Sequence, residues 1–214
     1  VTGVEKAVMP KGTMLNVGAG ELETKLGEVF PGYFATIAQK HMERFGTTRE
    51  QMAQVSVKNH LHGALNPYAQ FQKKFTVEEV LHSPMIADPL TLYSCCPNSD
   101  GAAALVLCSK EKAKKVNGRA IRIAASVLAT GTYDNQRDIT NWDVEIRAAQ
   151  QAYKMASLGP EDLNVVEVHD AFTICEILHY EGLGLCPFGE GGCLIDEKAT
   201  AIGGRIPVNP SGGL

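Results

Sequence analysis

Apolar and polar positions follow one regime in the first half of this chain and another in the second. From Phe34 to Phe45 the apolar side chains fall at Phe34, Ile37, Ala38 and Met42, the spacing of one helix face, and Gly46 supplies a stop. Thr48-Arg-Glu-Gln51 has the form of a capping box, in which two side chains satisfy each other's backbone N–H groups, and predicts a helix through about His62. Thr76-Val-Glu-Glu79 repeats the device for a shorter helix, while Pro84 and Pro89 predict a loop over residues 83–89. Gly12, Gly18, Gly20 and Gly27 mark a glycine-rich loop after Lys6. Residues 7–90 thus read as an excursion of loops and helices.

From Ala102 the period shortens. Ala102 to Cys108 and Ala120 to Ala129 are apolar runs on either side of a polar helix at 110–115, and they predict buried strands of a layered α/β core. Thr140 to Ser157 reads as a helix ended by Gly159-Pro160. Val165 to Val168 is extended, 172–182 is a helix stopped by Gly182 and Gly184, and Ile206 to Val208 is extended again.

Composition narrows the function classes. The 214 residues are 44% apolar and 21% charged, ordinary for a globular protein of one large or two small domains. A net charge of −4 leaves no footprint for nucleic acid. Lys110 to Lys115 alternate with Glu111 and Ala113 and read as a solvated helix face. No stretch approaches the roughly 18 apolar residues of a membrane span, and no signal-peptide pattern is visible. Cys95, Cys96, Cys108, Cys175, Cys186 and Cys193 lack metal-ligand spacing, and several sit in apolar runs where a thiol acts as a small hydrophobe. His60 and His62, two apart on a helix, face different ways and do not form a metal pair. The expectation is a reducing, cytoplasmic protein without a metal. The first residue is not methionine and the last ones stop in mid-motif, so the expectation is an interior portion of a longer chain.

Candidate chemistry gathers in two places. Val168-His-Asp-Ala-Phe172 closes an extended run and opens a helix, which puts an imidazole and backbone N–H groups at one point. Arg205-Ile-Pro-Val-Asn209 runs into Pro210-Ser-Gly-Gly-Leu214, where glycine permits a close backbone approach. A neutral His169 could donate a hydrogen bond to charge developing on a carbonyl oxygen; on spacing alone, a core histidine at a helix start is favoured. Asp170 reads as a cap that accepts helix N–H groups, and Phe172 as a core or pocket-wall aromatic.

Taken in order, these motifs resemble the thiolase superfamily, in particular its sterol-carrier-protein type and the lipid-transfer-protein-like acetyl-CoA acetyltransferases. That type carries His-Asp-Ala-Phe or His-Asp-Cys-Phe where other thiolases have Asn-Glu-Ala-Phe. Val1-Thr-Gly-Val-Glu-Lys6, Phe30-Pro-Gly-Tyr-Phe34, Lys58-Asn-His60, Asn66-Pro-Tyr-Ala-Gln70 and Pro97-Asn-Ser-Asp-Gly-Ala-Ala-Ala104 fit the same family in sequence order.

The resemblance implies a thiolase-like α/β fold of duplicated halves. Residues 1–6 would end the N-terminal core half and 7–90 would form the loop domain over the active site. Residues 91–130 would close the first half and enter the second, and 131–214 would belong to the C-terminal half. It implies an acyltransferase that joins acetyl-CoA units or cleaves 3-oxoacyl-CoA, with coenzyme A as substrate and no bound cofactor. His169 would serve the oxyanion hole. Phe172, Asn209, Gly212 and Gly213 would shape the pocket, and Tyr33 and Phe34 would be an acyl-pocket wall or a plain hydrophobic cluster. The family's nucleophilic cysteine and its Gly-His-Pro histidine map outside residues 1–214, and Cys95, Cys96, Cys175 and Cys186 read as buried thiols. A homodimer or larger homo-oligomer is implied. Two rivals remain: an aldolase on steroid side-chain CoA esters with a small barrel-protein partner, and a non-catalytic scaffold subunit. Fold alone does not choose among them.

Overall fold

A computed structural model of the chain describes residues 1–5, 22–116, 118–131 and 138–214. In chain order the elements are β1 (Thr2–Glu5), α1 (Leu22–Lys25), α2 (Phe30–Phe45), α3 (Arg49–Gly63) and α4 (Val77–Leu81). Then come β2 (Met85–Ala87), β3 (Leu90–Thr91), β4 (Gly101–Ala104) and α5 (Lys110–Ala113). The last are α6 (Asp143–Ala156), α7 (Thr173–Gly182) and α8 (Gly191–Asp196). The glycine-rich loop expected after Lys6 falls mainly on residues outside those described.

The helix boundaries follow the local chemistry. α2 starts at Phe30, earlier than its apolar spacing suggests, because Pro31 sits in the first turn, where a missing N–H breaks no helical bond. It ends where Gly46 takes φ 77° and donates its N–H to the Met42 carbonyl. At α3 the Gln51 N–H donates to Thr48 Oγ1 at 3.1 Å and the Thr48 N–H to Gln51 Oε1 at 3.0 Å. Thr76 and Glu79 close the same reciprocal pair at the start of α4. α6 is shorter than expected at both ends and stops at Ser157, which takes φ 57°.

α7 is the centre of the molecule. It packs against α2, α3, α6 and α8, with Ile174, Ile177 and Tyr180 fully buried. Ile37 and Ala38 of α2, Met52 and Val55 of α3, Leu194 and Ile195 of α8, and Ile206 and Val208 complete one apolar cluster with it. Burying a side chain the size of Ile177 contributes roughly 1.5–3 kcal/mol.

The two expected buried strands behave differently from their pattern. Only Gly101–Ala104 becomes a strand, paired antiparallel with β1 from Thr2↔Ala104 to Glu5↔Gly101. Residues 105–109 and 119–131 have no regular structure, and Val106 and Leu128 are 95% and 92% exposed. A strand needs a neighbour for its hydrogen bonds and a layer over its apolar face. Among the described residues β4 has β1 alone, and residues 120–129 have no strand partner. The extended runs before and after α7 reduce to one parallel bridge, Val166↔Val208, which still brings the two candidate motifs side by side.

The Thr48 capping box gives a direct test of how α3 is held. Thr48→Ala removes one of the two reciprocal bonds and is expected to lower stability by about 1 kcal/mol, while Thr48→Ser restores most of it. Urea unfolding followed by circular dichroism measures both; an alanine variant as stable as wild type would mean packing alone sets the start of the helix.

Candidate functional site

The join between the two motifs is built from backbone. The Val166 N–H donates to the Pro207 carbonyl at 3.0 Å, and the Asn209 N–H to the Val166 carbonyl at 2.8 Å. Asn209 then turns the chain with φ 52°, a left-handed conformation that asparagine tolerates better than most residues. Its Oδ1 accepts the Val168 N–H at 2.8 Å. The following turn brings the Leu214 N–H onto Asp170 Oδ1 at 2.8 Å. Glycine is required there: a Cβ on Gly212 would lie 2.8 Å from Gly63 Cα, and one on Gly213 2.5 Å from Asp170 Oδ2.

Below this join lies a network of buried polar groups centred on Glu176, which has no exposed surface. Lys58 Nζ is 2.6 Å from Glu176 Oε1 and also donates to the Val208 carbonyl at 2.8 Å. The Tyr180 hydroxyl donates to the same carboxylate oxygen and lies 3.2 Å from the Thr200 hydroxyl. Glu176 Oε2 accepts from Asn59 Nδ2 at 2.6 Å and Asn209 Nδ2 at 2.8 Å. Asn59 Nδ2 also donates to Asp170 Oδ2 at 2.7 Å. His62 completes the set. Its Nε2 accepts the Ile202 N–H and its Nδ1 donates to the Asn209 carbonyl, which defines a neutral imidazole. Burial, with the nearby Lys58 charge, accordingly holds its pKa below 6.5 despite the bond to Asn209.

Above the network opens a cleft of about 340 Å³, bordered by Asn59, Cys95, Cys96, Asp170, Thr173 and the turn at Gly212–Leu214. Burial first, then the neighbouring Glu176 charge, pushes Asp170 from 3.8 up to about 6, against the bonds from the Leu214 N–H and Asn59. Asn59 Oδ1 and Thr173 Oγ1 are buried without a hydrogen-bond partner. The Cys96 N–H donates to the Ala171 carbonyl at 2.8 Å, which seats the cysteine pair against the start of α7. Burial, with the neighbouring Cys96, pushes the Cys95 thiol up to about 12. The cleft therefore offers a carboxyl that can hold a proton near neutrality, neutral thiols, and polar groups with unused bonding capacity.

The sequence-derived site residues separate into groups. Gly212 and Gly213 border the cleft, and Asn209 lies buried beneath it. Phe172 is buried in the core, stacked on Phe34 with ring centroids 4.6 Å apart, and Tyr33 meets the Phe34 ring edge-on at 5.3 Å. His169 is exposed beside Asp170, and its carbonyl accepts from His179 Nε2 at 3.1 Å. Asp170 does not cap α7 as expected. Phe172 occupies the N-cap position without a side-chain bond, because the Asp170 carboxylate is already taken by Leu214 and Asn59.

Glu176 and Tyr180 carry no expected site role, and Lys58 and Asn59 enter the sequence reading only within the family-like run Lys58-Asn-His60. A signal was present: Glu176 interrupts the apolar run Ile174-Cys-Glu-Ile-Leu178, and Tyr180 follows it by one helical turn. A carboxylate on the apolar face of a buried helix calls for a partner.

Residues 4–111 match the family described as "Thiolase, N-terminal domain", and residues 125–214 the family described as "Thiolase C-terminal domain-like". The chain is 47% identical to an acetyl-CoA acetyltransferase of Methanothermobacter thermautotrophicus, over 99% of its own length and 57% of that protein. It is 42% identical to sterol carrier protein 2 of Gallus gallus, over 87% of its length and 35% of that protein. A solved structure described as "Ltp2-ChsH2(DUF35) aldolase" superposes with a TM-score of 0.81 at 33% identity, covering 85% of this chain and 49% of that one. The chain thus spans about half the length of these relatives or less.

Asp170 makes the site's contribution to stability depend on pH with a definite sign. Its folded pKa of about 6 lies above 3.8, so the folded state holds a proton that the unfolded state has released. That stabilisation is complete below 3.8 and is lost as pH rises through about 6. Relative to wild type, Asp170→Asn is expected to gain on the order of 2–3 kcal/mol across that window. Thermal melts of both proteins at several pH values measure it; a difference that does not change with pH would show that Asp170 ionises as freely in the folded chain as in the unfolded one.

Proposed function

This chain belongs to the thiolase family, and we propose that the protein carrying it is an acyl-CoA acyltransferase, joining acetyl-CoA units or cleaving a 3-oxoacyl-CoA by attack of coenzyme A. The observation that supports this most is the join of the two motifs. Asn209 takes the Val168 N–H and Asp170 takes the Leu214 N–H, so the histidine-bearing junction and the glycine turn share one rim.

In this reading His169, free of the core and exposed, donates a hydrogen bond to the thioester oxygen as negative charge develops on it. Asn209 and the two glycines fix the backbone beside it, and Phe172 anchors the junction from below. The acyl group passes through a cysteine thiolate. Burial holds Cys95 and Cys186 at about 12 and pushes Cys96 and Cys175 up as well, so these remain neutral thiols. Cys108 and Cys193 are exposed and do not border the cleft. The nucleophile, as the family resemblance implies, is a cysteine outside residues 1–214. Coenzyme A enters as substrate, with no bound cofactor. The six free thiols suit a reducing cytoplasm, and the assembly is a homodimer related by a two-fold axis.

A second reading rests on the aldolase structure to which the chain is similar over most of its length. There the same cleft would take a steroid side-chain CoA ester, cleave it by proton transfer without a cysteine nucleophile, and work beside a small accessory barrel protein.

Assays on the longest natural chain that carries these residues separate the two. Acetoacetyl-CoA thiolysis that is abolished by thiol alkylation supports the acyltransferase; alkylation-resistant aldol cleavage of a steroid side-chain CoA ester supports the alternative. For the acyltransferase, His169→Ala is expected to lower kcat by about 10²–10³ with little change in KM. His169→Asn should retain more activity. A His169→Ala enzyme with wild-type kcat would leave the histidine no part in the reaction.

A further inference from the structure

The junction at His169 is also held by a pair of side chains that the proposed chemistry does not use. His179, on α7, has its Nδ1 2.5 Å from Glu145 Oε1 of α6 and its Nε2 3.1 Å from the His169 carbonyl oxygen. The two side chains are 14% and 17% exposed, so water does not replace either contact freely. A carbonyl oxygen and a carboxylate both accept hydrogen bonds and donate none. A ring that satisfies both must carry a hydrogen on each nitrogen, as an imidazolium does. Moving the shared proton across to Glu145 leaves the pair with the same number of protons.

The surroundings are cut to this pair. Trp142 meets the His179 ring edge-on, with centroids 5.1 Å apart. A Cβ on Gly182 would fall 2.4 Å from Glu145 Oε2, so a side chain at residue 182 would push the carboxylate out of its present position. Glu145 Oε2 is buried without a partner, which leaves Oε1 and its contact with His179 as the carboxylate's anchor.

We propose that His179 is a positioning residue: with its ring fixed by Glu145, it tethers the His169 carbonyl and sets the direction in which the His169 side chain projects. Loss of its second proton frees one of the two contacts and loosens the junction. The catalytic consequence rests on the role proposed for His169; the tether itself does not.

The surroundings of the ring favour its protonated form. Burial pulls the His179 imidazole down, but the Glu145 hydrogen bond and charge, with the His169 carbonyl and Glu176, carry it above 6.5. Other ionisable groups around α7 include Tyr153 of α6, whose pKa feels the Glu145 charge, Lys58 of α3, which lies on Glu176, and Asp170 and Cys96, which face Glu176 and Cys175. His41 of α2 meets Glu181 of α7. Because the folded pKa is raised, the tether is intact below it and is lost as pH rises through it.

The test uses side-chain NMR titration together with amide exchange at residues 169–171, in the wild type and in Glu145→Gln, Gly182→Ala, His179→Ala and His179→Gln. We expect His179 to titrate above 6.5 in the wild type. Glu145→Gln and Gly182→Ala should both lower that value, the second without changing a charge. Junction amides should exchange about fivefold to tenfold faster once His179 deprotonates, the scale of one lost hydrogen bond. They should exchange fast at every pH in His179→Ala and slowly at every pH in His179→Gln, which keeps one donor. A wild-type His179 that titrates at or below 6.5, or junction exchange unchanged in a folded His179→Ala, would overturn the tether. If the tether holds but kcat of the active enzyme does not follow the same titration, the role of His169 fails instead.

Discussion

Glu176 lies in the interior with no exposed surface, and the region around the cleft is arranged to compensate it. An uncompensated carboxylate in such a place is penalised by several kcal/mol. Here Lys58 supplies charge, Tyr180 a hydroxyl, and Asn59 and Asn209 one amide donor each. These donors come from α3, from the next turn of α7, and from the segment after Val208. The carboxylate therefore fixes where three parts of the chain stand relative to one another. Removing one partner from a buried pair typically costs about 3–5 kcal/mol, more than any single capping interaction here. Directionality matters as much as magnitude: apolar packing tolerates small slips between α3 and α7, whereas hydrogen bonds of 2.6–2.8 Å do not.

The same constraint shapes the chemistry above it. Asn59 gives its amide group to both Glu176 and Asp170, which draws two carboxyl groups close together in a buried site. Burial first, and then the Glu176 charge beside it, push the Asp170 carboxyl up to about 6. The glycine turn can approach because nothing larger than hydrogen projects from Gly212 or Gly213. A turn pressed against Asp170 delivers the Leu214 N–H to it, so the path of the backbone also tempers the upward shift that burial and Glu176 impose on this carboxyl.

Much of this fold was legible where the deciding forces are local. Capping boxes at Thr48 and Thr76 and the stop at Gly46 work within a few residues, and each appears where its pattern places it. The family resemblance implied that both motifs shape one pocket, but the pairing of Val166 with Val208 was not legible, since the two are far apart in sequence. The expected strands in 102–108 and 120–129 show the limit of periodicity. An apolar run states that a segment suits burial, but a strand also needs neighbours, which its own residues do not encode. The Glu176 network was missed for a related reason. Its partners lie on separate helices and a distant turn, so Glu176 could be recognised as out of place without showing what completes it. Asp170 misled because an acidic residue just before a helix suits a cap, and only the folded chain reveals a competing donor.

Placement of His169 follows from the same logic at longer range. Its side chain is exposed, yet the backbone that carries it is fixed on both sides. Asn209 Oδ1, oriented by the bond from Asn209 Nδ2 to Glu176, accepts the Val168 N–H, and His179 bonds the His169 carbonyl. A group that must meet a substrate cannot be packed in by its neighbours, so its direction has to come from the peptide units beside it. Here one of those units is tied to the buried carboxylate through Asn209, and the next is tied to Glu145 through an imidazole. An exposed histidine can in this way inherit the rigidity of the interior while its ring stays in solvent.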